Sequence, residues 1–132
     1  MVVFDENLNY TDFYDVLSGM TAILPAFADD DYFIHKASSS VPASIIAGSP
    51  IVATRRMLDM YSYMHEDTVW LQREGQSDFE ALWEIIKKPR SQRERKRADA
   101  KDYAKQIVRQ NQQKVTSWVE NAILLRDEAA LS

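Results

Sequence analysis

Hydrophobic side chains recur at intervals of three and four along most of this chain, the spacing that places them on one face of a helix. Phe13, Val16, Leu17, Met20, Ile23, Leu24 and Phe27 form the first such series. Thr11 is placed to cap it, with Asp12 and Asp15 in the first turn, and Pro25 should kink or end it near its last turn. Met57, Leu58, Tyr61, Met64 and His65 form the second series, predicted to run from the Ser49-Pro50 start signal toward Leu71 and to loosen near Glu66-Asp67. Gly75 stops it. Phe79, Leu82, Trp83 and Ile86 form the third, opened by the capping box of Ser77 and Glu80 and closed by Lys88-Pro89. The last is the longest: residues 91–131 contain no Gly or Pro, and Ser91 with Glu94 can close a capping box at its start. From Ala104 onward, Val108, Asn111, Val115, Trp118, Ala122, Leu125 and Ala129 alternate by four and three, a heptad seam.

Between these series the pattern weakens. Val2, Val3 and Phe4 suit a short strand or a tucked arm, and one of Asp29, Asp30 and Asp31 can cap a short element holding Tyr32, Phe33 and Ile34. Residues 38–50 carry five serines and two prolines and read as a linker, part of which packs through Ile45 and Ile46. The predicted fold is all-α, with about five helices. Residues 1–132 form a single helical domain in which a long C-terminal helix (about 91–131) packs against shorter N-terminal ones. Trp83 and Trp118 are expected in the core, and the methionine series Met57, Met60 and Met64 likewise.

Charge changes this picture. Residues 1–86 hold 4 Lys/Arg against 14 Asp/Glu, residues 87–101 hold 8 against 2, and residues 102–132 hold four of each. The chain is therefore an acidic body (1–88) carrying a helix (89–132) that is basic first and apolar afterwards. The basic band is Lys87, Lys88, Arg90, Arg93, Arg95, Lys96, Arg97 and Lys101, extended by Lys105. Arg93, Arg97, Lys101 and Lys105 stand four apart, a ridge about 18 Å long on an ideal helix. Like charges at this spacing repel, so the ridge is either a solvated or self-neutralised face or one that meets an anionic partner. A nucleic-acid backbone fits, contacted without sequence readout; so does the acidic body of the same chain or of a neighbouring subunit. The same residues resemble a nuclear import signal if the source is eukaryotic, a weakly specific match.

The seam also has two readings. Val108, Asn111, Val115, Ala122 and Leu125 are candidate partner or oligomer contacts, with Asn111 setting register. Ile107, Val119, Ile123 and Leu124 lie off the seam, however, and widen the apolar arc. A strict dimeric coil keeps such positions polar. Most of the arc is therefore expected to pack against the rest of the chain, with some left for a partner.

Chemistry is harder to find. The chain has no Cys, three scattered Gly, and two His thirty residues apart, His35 and His65. These exclude a disulfide framework and a thiolate nucleophile, and leave nothing from which to build a phosphate-cradling loop or a recognisable metal site. No serine sits in a nucleophile elbow. No apolar run is long enough to span a bilayer, and the first residues are acidic where a secretory signal is basic. The sequence thus predicts an intracellular, non-enzymatic protein without catalytic residues, metal or cofactor. Its partners are other protein subunits, RNA or DNA backbone, or further copies of itself. Two functions stand: an accessory subunit of a nucleoprotein assembly, or an assembly or inhibitor protein that touches no nucleic acid.

Overall fold

A computed structural model describes residues 7–25 and 38–130. The expectations for Val2 to Phe4, for Asp29 to Ile34 and for His35 fall outside the described residues. Within them the chain is mostly helical, as its periodicity predicts: α1 Tyr10–Ser18, α2 Ser40–Ala47, α3 Arg55–Met60, α4 Asp78–Lys87 and α5 Arg90–Ala130. Two three-residue strands, β1 Ile51–Ala53 and β2 Val69–Leu71, complete it, with a 3-10 turn at Glu66–Thr68.

The strands are the main departure from the sequence reading. Residues 51–71 do not form one helix; they form a strand, a short helix, a turn and a second strand. β1 and β2 pair in parallel, with Ile51 opposite Val69, Val52 opposite Trp70 and Ala53 opposite Leu71. Parallel strands need a crossover, and α3 with the turn that follows supplies it. Ile23 bridges the other side of β1: its N–H donates to Pro50 O and its carbonyl accepts from Val52 N–H, both at 2.8 Å. The helical series starting at Thr11 is likewise shorter than expected. Asn9 caps α1, accepting from Asp12 N–H, and the helix ends at Ser18, before Pro25 is reached. The serine-rich stretch is mostly helix, since α2 occupies it up to Gly48.

The small sheet divides the core by strand alternation. On one face Ile51, Ala53 and Val69 pack with Val41, Met57, Tyr61 and Met64. On the other, Val52 and Trp70 pack with Ala81 and Ile85 of α4. The capping box of Ser77 and Glu80 starts α4 as the sequence predicts, and Lys88 ends it. The side of α4 that faces inward differs from the expected one. Ala81 and Ile85 are buried, whereas Phe79, Trp83 and Ile86 are exposed. Of the methionines, Met57 and Met64 are core and Met60 is exposed.

Candidate interaction surface

α5 is seated on the body by one face of its first half. Arg93, Lys96, Arg97, Ala100, Tyr103, Ala104 and Ile107 are its covered or half-covered residues, recurring at helical spacing along one face, with Ala100 buried. This face meets α2 and the Glu66–Thr68 turn. The helix passes close to Gly48, where a Cβ would lie 3.0 Å from Lys101 Cα. Gly48 has φ +63° and ends α2 in the left-handed conformation. A glycine here serves twice, as a helix terminator and as the notch through which α5 passes.

Three residues of the basic band, Arg93, Lys96 and Arg97, are used in this seating. Arg93 Nη1 donates to Ile86 O at 3.4 Å, and Arg97 Nη2 donates to Ser18 O at 3.4 Å. These carbonyls belong to the last turns of α4 and α1, where helices leave acceptors unpaired and the dipole is negative. Two arginines from α5 therefore cap two helices of the body. Lys96 Nζ donates to Asp67 O at 2.7 Å and lies 5.6 Å from the centre of the Trp70 ring, with Lys88 on the same ring at 5.9 Å. Lys87 rests 4.9 Å from the ring centre of Trp83. Arg90 pairs with Glu94, and Lys105 with Asp102 at 3.2 Å. Tyr103 completes the contact by donating to Tyr63 O at 2.8 Å. Arg95 and Lys101 are exposed, and neither forms an ion pair among the described residues. The four-residue ridge thus does not stand as a free stripe, because Arg93 and Arg97 are turned toward the body.

The second half of α5 behaves differently. From Val108 to Leu124 every side chain is exposed. Val108, Val115, Val119 and Ile123 are each about half exposed, and Trp118 is 68% exposed. Asn111 and Ala122 of the seam are exposed too, while the side chain of Leu125 lies outside the described residues. The expectation that most of this arc packs on its own chain is therefore corrected, and with it the burial of Trp118; Trp83, on the outward side of α4, is exposed as well. The physical reason is length. The body covers α5 only to Ile107, and the following 17 residues extend about 25 Å further at 1.5 Å each.

A cleft of about 380 Å³ lies beside Trp70, lined among others by Glu66, Asp67, Glu84, Lys88 and Lys96. Its mixed charge selects no anion or cation. Among the described residues no group of three or more His, Asp or Glu is placed to hold a metal ion, and no helix is long and apolar enough to cross a membrane. The sequence missed Ala100 as the pivot of the seating. The available signal was the backward extension of the seam through Ala104 and Ala100, hidden by the charged residues around it. No protein-family model, curated protein or solved structure matches the chain.

Proposed function

We propose that the chain is a non-enzymatic assembly protein, whose compact acidic body holds a long helix and presents its outer half for docking to protein. One observation carries this reading: the apolar face of α5 between Val108 and Ile123 is left uncovered by the described residues of the chain. Contiguous exposed apolar surface of this kind marks an interaction site on a folded protein. The basic band supports the same reading indirectly, since much of its charge is spent on carbonyls and indole rings of the body. Contact with a nucleic-acid backbone remains the second reading, favoured by the exposed cations Arg95 and Lys101.

Two variants separate them. Trp118→Ser with Val119→Ser strips the outer helix face, and Arg95→Gln with Lys101→Gln strips the free cations. With each as bait in host extract, the captured protein, identified by mass spectrometry, should be retained by the cation variant and lost from the helix variant. Neither should bind random-sequence oligonucleotides near about 0.15 M salt. Oligonucleotide binding by the wild type that the cation variant loses would overturn the assembly reading in favour of the nucleic-acid one.

A further inference from the structure

We infer that the occupant of the outer half of α5 is a second copy of the same helix, laid antiparallel across it. This rests on the assembly reading above and names its partner. The argument begins with which side of the helix is free. The residues that seat α5 on the body continue, at the same three-and-four spacing, into Val108, Asn111, Val115, Trp118 and Ala122. Residues so spaced share one face of a helix. The body and the partner therefore occupy the same side of α5, one after the other.

That placement excludes a parallel, in-register pair. A parallel second helix would run its own residues 93–107 through the space already filled by α2 and the Glu66–Thr68 turn. An antiparallel copy avoids that overlap and brings only its last turn, beyond position 126, alongside the covered stretch. Its body sits at the far end, and its outer helix fills the stretch that begins where the first body stops, at Ile107. The seam is self-complementary in this direction. With the two-fold axis between positions 116 and 117, Val115 faces Trp118 of the second copy, and Asn111 faces Ala122. Each layer then sets a larger side chain against a smaller one, as packed helices require. A parallel pair would instead stack Trp118 on itself.

Charge agrees with a pair of copies. Residues 107–124 hold only Arg109 and Lys114 against Glu120, so two copies meet with little repulsion. The pairing is isologous and closes at two.

The chain contains no cysteine, so single cysteines report cleanly. Asn111→Cys and Ala122→Cys are made in the full-length protein, mixed, left to exchange and mildly oxidised. The expected product is a mixed disulfide dimer carrying one of each, with little cross-linking of either variant alone. Sedimentation of the wild type should show a reversible dimer, and Trp118→Ser should weaken it by about tenfold or more. Each variant linking to itself as readily as to the other would overturn the antiparallel arrangement. A wild type that is monomeric at roughly 100 µM would overturn the second copy as occupant. The capture experiment distinguishes that failure from failure of the assembly reading, because it registers any other protein held by the same face.

Discussion

At the scale of single residues, charged groups of this protein serve as helix caps as well as ion-pair partners. Glu80 shows the first role most plainly. Its carboxylate accepts from Ser77 N–H at 2.8 Å and from Ser77 Oγ at 2.8 Å, while its own N–H donates to Ser77 Oγ at 3.3 Å. The Ser77 backbone bond, then the hydroxyl, hold the Glu80 carboxyl below its ordinary range. A carboxyl with a lowered folded pKa binds fewer protons than in the unfolded chain, so its stabilisation is present above the ordinary carboxylate range and disappears as pH falls through the folded value. Glu66 behaves alike, because the Arg55 guanidinium hydrogen-bonds it. Glu80→Gln should therefore be less stable than wild type at neutral pH, and the gap should close as the medium is acidified. Urea denaturation of both proteins across a pH series checks this; a gap that widens on acidification would contradict the assignment.

At the scale of elements, the fold depends on how closely α5 can approach the end of α2. Gly48→Ala places a side chain in the left-handed region and brings its Cβ to 3.0 Å from the backbone of Lys101. Gly75 offers a matched control, with φ +74° and no atom within 4 Å of the built Cβ. Each substitution incurs backbone strain of about 1–3 kcal/mol. Gly48→Ala should exceed Gly75→Ala, by the further penalty of pushing α5 off its notch. Equal losses in chemical denaturation would mean that the contact contributes nothing. The same seating explains why a helix with so many arginines and lysines is tolerated. Arg93 and Arg97 satisfy acceptors on α4 and α1 that would otherwise lack a helical partner.

At the scale of the whole molecule, stability and binding are assigned to different regions. The two core clusters lie around the sheet, and Val108 to Leu124 of α5 contribute no buried residue to them. Ile85→Ala, in the cluster around Trp70, should destabilise by about 2–5 kcal/mol. Trp118→Ala should change monomer stability by less than about 0.5 kcal/mol despite its far larger side chain. The comparison is made by denaturation at concentrations where sedimentation shows a monomer. A large loss at Trp118 under those conditions would place that ring in the chain's own core.

The sequence alone determined the helical class, the capping box and span of α4, and the reach of α5. These are local properties, set by cap residues, spacing and the absence of Gly and Pro over one continuous stretch. The strand pair was not legible because Ile51 to Ala53 and Val69 to Leu71 are three residues each, too short for a period of two to show against the surrounding series. Pairing between positions eighteen apart is a tertiary matter. So is the choice of face on α4, where two apolar stripes compete and only packing against Val52 and Trp70 selects Ala81 and Ile85. The basic band and the seam were visible as patterns, but their partners were not, because a pattern gives a face without saying what covers it. The tertiary structure decided that by the extent of the body: α5 is covered as far as Ile107, with Arg93 and Arg97 meeting helix ends on the way, and is bare from Val108 to Leu124.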